Sequence, residues 1–356
     1  MDDDRRNATL LSTGARSGEG RERLLLRREV GAAMMTTQLN RFGRALPVAW
    51  QKAIVRRSRG LGLGAIASDL FLEYPPEEHG FDPVTTKREF FLIEQLAGRY
   101  FRATTMGAEN IPDGRALVVA SHSGVIPWDG PLLAAETYRL TGRFPWNAGH
   151  HIWGWSPAVK NLMVPTGMVL GGHEDFEKLL DRDELVTIFV DAGEGNRRAY
   201  YLANDRYKVK PLKGFAPGRG GYVKVALRTR TPVVPVAIVG TEEVHYCLGD
   251  VPQMAEYLGV PFFPIVASLV PLPAHIYIRF GEAMRFDFPP EAADDQALVD
   301  RLNEHVRSTM QALVDDTLRR RKGIYWSSYD ATPEAPERIA RPTIVAPESA
   351  GYAKAA

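Results

Sequence analysis

The stretch ALVVASHSGVIPWDG, residues 116–130, joins a five-residue apolar run to a histidine, a glycine turn at Gly124, Pro127 and Asp129. A run that is apolar at every position, rather than at alternate ones, is the pattern of a strand covered on both faces. Such strands belong to mostly parallel sheets sandwiched by helices. The pattern returns at 185–190 (LVTIFV), 233–239 (VVPVAIV) and 275–280 (HIYIRF), with helical patterns at 130–140, 173–182 and 217–228. This βαβ rhythm predicts an α/β fold with a mostly parallel central sheet flanked by helices. Leu298, Leu302, Val306, Met310 and Leu313 mark one face of a long C-terminal helix, whose basic end at Arg319–Lys322 suits the helix dipole.

Composition narrows the classes open to such a fold. With 356 residues, 45% of them hydrophobic and 24% charged, the chain has enough apolar material for one large globular unit and is not that of a disordered protein. Cys247 is the sole cysteine, which rules out an intrachain disulfide and a Cys-based zinc site and fits a reducing, cytoplasmic setting. The N-terminus is charged from its second residue and does not read as a secretory signal. No segment supplies the ~18 uninterrupted apolar residues of a spanning helix. The nearest, GVPFFPIVASLVPLPA at 259–274, carries four prolines, which argue against a crossing helix and leave open an apolar loop that touches lipid.

Charge is uneven along the chain. The net charge of +1 gives no reason to expect nucleic acid as a partner. Residues 197–230 nonetheless hold ten basic side chains against Asp205 alone. Glycines interleave the cations at Lys213–Gly221, exposing backbone N–H groups as an anion site requires. The alternative for such a stretch is a solvated basic face. Residues 41–59 (RFGRALPVAWQKAIVRRSR) hold six basic residues and no acid around an apolar stripe with Trp50. This reads either as an amphipathic helix lying on an anionic membrane surface or as a helix packed on the domain. The expected organisation is a disordered tail over 1–32, an N-terminal helical, membrane-facing segment over 33–80, a catalytic domain over 81–326 and a second disordered tail over 327–356.

In open parallel sheets, ligands collect beyond the carboxyl ends of strands, and His122 follows the first predicted strand. A general base needs an imidazole with one nitrogen presented to substrate, which a carboxylate arranges by accepting the proton of the other. Gly124 and Pro127 let the loop fold back so that Asp129 reaches His122. The competing reading makes Asp129, before Gly130-Pro131-Leu132, a helix N-cap and His122 an ordinary hydrogen-bonded residue. Other reaction classes lack their motifs: there is no G-x-S-x-G elbow, no phosphate loop ending in G-K-[ST] and no H-E-x-x-H helix.

Taken in order, four blocks resemble the glycerolipid acyltransferase family that includes the lysophosphatidate acyltransferases. The first is Ser121-His122 with Asp129, similar to a bacterial branch with a lengthened His…Asp loop. The second is Val164–Gly172, followed by a helix at 175–180. The third, Phe189-Val-Asp-Ala192 continuing to Arg198, stands where the family has Phe-Pro-Glu-Gly. The fourth is Val233–Ala237, after the glycine-rich 218–229. Val190 and Asp191 replace the family's proline and glutamate, and Ser121 its asparagine, so the third-block carboxylate is one methylene shorter.

The resemblance implies acyl transfer from acyl-CoA or acyl carrier protein to the hydroxyl of a lysolipid, with His122 as base and Asp129 as its orienting partner. It implies no cofactor beyond that acyl co-substrate and no metal. Substrate contacts would fall to Ser123, Gly124, Gly167, Asp191, Gly193, Gly195, Arg197, Arg198, Lys213 and Arg219, the cations meeting a phosphate or similar head group. The enzyme would work at the membrane surface, peripheral on the inner face. A catalytically silent lipid-binding homologue and a lipid or thioester hydrolase are the alternatives this reading leaves open.

Overall fold

The computed structural model describes residues 79–149, 163–170, 172–190, 207–209, 221–258 and 263–325. The basic segment 41–59 and both tails therefore lie outside the described residues. Within them, helix α1 (Pro83–Gln95) precedes strands β1 (Thr104–Met106) and β2 (Ala116–Ala120). Helix α2 (Asp129–Thr141) leads to β3 (Pro145–Ala148) and β4 (Met168–Val169), then α3 (His173–Asp181) to β5 (Leu185–Phe189). Helix α4 (Gly221–Arg228) precedes β6 (Val233–Val239), and a hairpin of β7 (Cys247–Asp250) and β8 (Pro264–Val266) encloses α5 (Pro252–Leu258). Strand β9 (Tyr277–Phe280) and the long α6 (Gln296–Arg320) close the chain.

Seven strands form one sheet in the order β1-β9-β6-β2-β5-β3-β4. The five from β6 to β4 run parallel; β9 pairs antiparallel with β6 and parallel with β1, so these two strands are reversed. The α/β architecture with a mostly parallel sheet, flanking helices and a long C-terminal helix is thus present. Strands β2 and β6 match their predicted limits, and every residue of both is buried. Their side chains alternate between two cores: Leu117, Val119, Val233 and Val239 face a cluster with α4 and α6, while Val118, Ala120, Val234 and Val236 face one with Leu132 and Leu133 of α2. That two-sided burial is why the strands read as continuous apolar runs.

Pro235 stands inside a central strand, where a missing N–H normally breaks the ladder. Here its carbonyl accepts from Gly281 N–H at 2.8 Å, beyond the end of β9, and the next bridge on that side is Val233 with Met284. The absent donor therefore faces the gap between Phe280 and Met284, where the ladder is already interrupted.

Helix α6 is capped by Asp295, whose side chain accepts Leu298 N–H at 3.1 Å, and buries Leu298, Leu302, Val306 and Met310 against the sheet. Its last turns carry Asp316, which pairs with Arg279 on β9 and with Arg320 and Arg319 at 3.0 and 3.1 Å. Burial opposes ionisation of Asp316. The hydrogen bonds from Arg279 and Arg320, and their charges, outweigh it and hold the carboxyl below the usual carboxylate range. A carboxyl shifted this way contributes fully above its unfolded-state pKa and loses that contribution as pH falls through the lower folded value. Replacing Asp316→Asn is expected to remove about 2 kcal/mol of unfolding free energy at neutral pH. The gap to the parent protein should shrink in acid; urea unfolding at neutral and acid pH measures both.

Candidate active site

The parallel strands point their carboxyl ends to one rim, and β2 lies between β5 and β6. Residues leaving these three strands therefore meet there, the place where open α/β sheets bind ligands. His122 leaves β2, Phe189 ends β5, and Gly240 and Thr241 follow β6.

The chain doubles back after His122 and returns at the first residue of α2. The Asp129 side chain is fully buried and the His122 ring is 23% exposed, with Nδ1 at 3.2 and 3.3 Å from the two Asp129 oxygens. A carboxylate only accepts, so Nδ1 carries the proton and Nε2 is the ring nitrogen with the lone pair. Asp129 Oδ2 also accepts Ser123 N–H at 2.6 Å, and Oδ1 accepts Gly130 N–H at 2.9 Å. Asp129 is therefore not the N-cap that the competing reading expects: it is the first residue of α2, and its oxygens turn to the histidine loop. Trp128 holds the N-cap position, with no side-chain cap.

Other contacts hold this loop from outside. The Ser123 hydroxyl bonds to that of Thr241 and lies 3.4 Å from the Ile238 carbonyl oxygen. Gly124 has φ +92°, and a Cβ there would stand 2.5 Å from the Thr241 carbonyl oxygen, so neither backbone nor space admits a side chain. Val125 packs on Cys247 and Val266 of the hairpin. Trp128 Nε1 donates to His245 Nε2 at 3.0 Å, while the His245 Nδ1–H donates to the Ser268 carbonyl at 2.9 Å. The indole only donates and the carbonyl only accepts, which sets the His245 tautomer.

The Phe189 ring stacks on the His122 imidazole, with centroids 4.1 Å apart and planes 10° off parallel. Val190 N–H then bonds to the Ala120 carbonyl at 3.0 Å, carrying the β2–β5 register past the end of β5. Sequence reasoning placed Phe189 in the third block without this role. Thr241 and His245 were not singled out, since only the fold brings them to residues 121–129, and Trp128, within that loop, shows its role only through His245. The one local sign was the polar turn after the apolar run of β6.

The remaining predicted site residues divide in two. Gly167 (φ +87°) sits at the start of edge strand β4, three strands from β2, against Phe81 and the Pro145 carbonyl. Its link to substrate rests on the resemblance alone. Asp191, Gly193, Gly195, Arg197, Arg198, Lys213 and Arg219 lie outside the described residues. One described piece of that region, residues 207–209, is firmly tied. Tyr207 N–H bonds to the Glu242 carboxylate at 3.2 Å, Val209 N–H to Gln311 Oε1 at 2.7 Å, and Arg307 to the Val209 carbonyl at 3.2 Å. The basic stretch thus has an anchor on α6 and on the turn after β6. Among the described residues, no three His, Cys, Asp or Glu side chains gather as a metal site.

Comparison with known proteins gives a family model, several relatives and a solved structure. The acyltransferase family model aligns with residues 102–239, which take in His122, Asp129 and strands β2 to β6. Uncharacterised proteins of Mycobacterium bovis and Mycobacterium tuberculosis are 32% identical over 284 residues, 74% of this chain and 75% of theirs. One from Mycobacterium leprae is 32% identical over 286 residues, 74% of this chain and 73% of its own. Among solved structures, the 1-acyl-sn-glycerophosphate (LPA) acyltransferase PlsC from Thermotoga maritima matches 79% of this chain and 100% of its own, with 18% identity and a TM-score of 0.41.

The loop geometry makes a stability prediction. Gly124→Ala should cost about 1–3 kcal/mol, because it forces a side chain into a left-handed conformation against a carbonyl. Gly98→Ala, where a Cβ meets nothing within 4 Å, should be neutral or slightly stabilising. Paired chemical denaturation curves measure the contrast.

Proposed function

The chain belongs to the acyltransferase family, and from that premise we propose that it moves an acyl chain from an acyl thioester to the hydroxyl of a lysophosphatidate-like lysolipid. The donor is acyl-CoA or acyl carrier protein, and the protein works as a peripheral enzyme on the inner face of the membrane. No helix among the described residues is long and apolar enough to cross a bilayer.

The observation that carries the reading is the contact of His122 Nδ1 with a fully buried Asp129. Nε2 takes the hydroxyl proton as the acceptor oxygen attacks the thioester carbonyl, forming the C–O bond and placing the carbonyl electron pair on oxygen. The carbonyl then re-forms, the C–S bond breaks, and the proton passes from Nε2 to the departing thiolate. Asp129 stays ionised and stabilises the transient imidazolium, the part a carboxylate plays beside a catalytic histidine. His122 in this scheme handles a proton and forms no covalent bond to the acyl group. An anionic head group is assigned to Arg197, Arg198, Lys213 and Arg219, with backbone N–H groups at Gly193 and Gly195. Ser123, Gly124 and Asp191 border the acceptor in this scheme.

The intact His–Asp pair favours an enzyme over a silent lipid-binding homologue. Purified protein given labelled acyl-CoA or acyl carrier protein and a panel of lysolipids should form diacyl product. His122→Ala should lower kcat at least about a hundredfold, and Asp129→Asn by a comparable factor through loss of the correct tautomer. Transfer that survives His122→Ala unchanged would remove the assigned base. Free fatty acid without acylated lipid would make the protein a hydrolase.

A further inference from the structure

We propose that the β7–β8 hairpin and the loop that follows it, tipped by Leu269 and Val270, form the surface on which this chain seats against a lipid bilayer. The inference rests on the preceding reading, in which the acceptor is a bilayer amphiphile, and adds which part of the protein meets the lipid.

A two-stranded antiparallel ribbon lying on a protein normally alternates apolar side chains toward the core with polar ones toward water. This ribbon is apolar on both faces. Cys247 and Val266 point inward and pack on Val125 of the catalytic loop. Their neighbours Leu248 and Ile265 point outward, Leu248 being 69% exposed. Beyond β8 the exposure rises to 86% at Leu269 and 68% at Val270, with Phe263 and Met254 completing the patch. Exposed large apolar side chains gathered on one ribbon and the loop after it mark an interaction site, unlike singly scattered hydrophobes.

The tip is an ordered feature of the fold. Ser268 Oγ bonds to the backbone of Val270 from both sides, as acceptor from its N–H at 3.1 Å and as donor to its carbonyl at 2.9 Å. The Ser268 carbonyl is held by His245, and the Pro271 carbonyl by the Tyr100 hydroxyl. These bonds keep Leu269 and Val270 presented outward.

Three features favour a bilayer as the occupant. From Phe263 to His275 the chain has no Asp, Glu, Lys or Arg, so β8 and the tip bring no charge into hydrocarbon, and the hairpin's Asp250 and Glu256 lie outside that run. The patch is continuous with the loop that holds His122, through Val125–Cys247–Val266 packing and the Trp128–His245–Ser268 hydrogen bonds, which sets the candidate site beside the surface where a bilayer acceptor resides. Finally, the six exposed large apolar side chains of the hairpin and its loop fall well short of the roughly 20–30 residues a side that a stable protein interface uses. A shallow apolar tip needs no such area to enter a membrane interface.

The test is co-sedimentation of the full chain with vesicles of pure phosphatidylcholine, whose zwitterionic head groups give basic segments little attraction. The parent protein should partition onto the vesicles. The double variant Leu269→Asp/Val270→Asp should lose roughly tenfold or more of that partitioning, as expected when two apolar side chains become charged. A second variant, Leu248→Ser/Ile265→Ser, should lose part of it. Unfolding midpoints matching the parent would show that the exposed changes leave the fold intact, and if one variant fails this control the other decides. Unchanged vesicle partitioning by a folded variant overturns the proposal. So does a parent dimer that becomes monomeric in the variant with partitioning unaltered, which would make the patch a contact between copies. The readout needs no turnover, so absence of acyl transfer would remove the enzymatic reading while leaving the vesicle result to stand or fall alone.

Discussion

The site depends on a carboxylate taken wholly out of water. Asp129 is fully buried, and a buried charge is tolerated only when hydrogen bonds offset its lost hydration. Three donors do so: Ser123 N–H, Gly130 N–H and the His122 ring. To supply two of them from the chain that leaves β2, residues 122–129 must double back within eight positions. The positive φ of Gly124 makes that turn, and its missing side chain lets the loop approach the backbone of Thr241. The arrangement that orients the imidazole is therefore the same one that stabilises the buried charge.

Strand order decides what else arrives at the rim. Because β2 is flanked by β5 and β6, the chain leaving β5 delivers an aromatic ring to one side of the loop, and the chain leaving β6 delivers a hydroxyl to the other. The stacked Phe189 covers one face of His122, and the bond to Asp129 sets the rotation of the ring. Together they leave an imidazole about a quarter exposed and directed by groups from two separate segments, the end of β5 and the start of α2. Such orientation from several sides limits the side-chain freedom that would otherwise be lost on binding, and preorganisation of this kind is what proton transfer at a defined atom requires.

How much of this was legible follows from where the information sits in the chain. Strands β2 and β6 could be read to the residue because burial on both faces leaves an unbroken apolar run. The short strand β3 and the edge strand β4 were missed. Pro145-Trp-Asn-Ala148 and Met168-Val169 are too short and mixed to show a pattern, and their pairing with the sheet makes them strands. Helix α1 escaped because Phe91 and Leu92 are exposed beside the buried Phe90, which blurs its apolar stripe. The reversed direction of β9 is set by the path of the chain and has no local sequence mark. In the site, His122 and Asp129 are seven residues apart and were visible as a pair. Phe189, Thr241 and His245 are 67 residues or more from His122 in sequence and become its surroundings only through the strand order.

The turn after β6 is secured in a way that bears on position more than on stability. Glu243 is 1% exposed and pairs with Arg321 at 3.0 Å, itself only 9% exposed; Arg321 also donates to the Tyr207 hydroxyl at 3.1 Å. A buried ion pair of this kind gains little net free energy over apolar packing, because removing both charges from water costs about as much as their attraction returns. What it does impose is geometry, since neither charge can leave without stranding the other. That constraint ties the end of α6 to the turn carrying Thr241, and the adjacent Glu242 ties the same turn to Tyr207 within the basic stretch. The histidine loop and residues 207–209 thus share one support in the turn after β6.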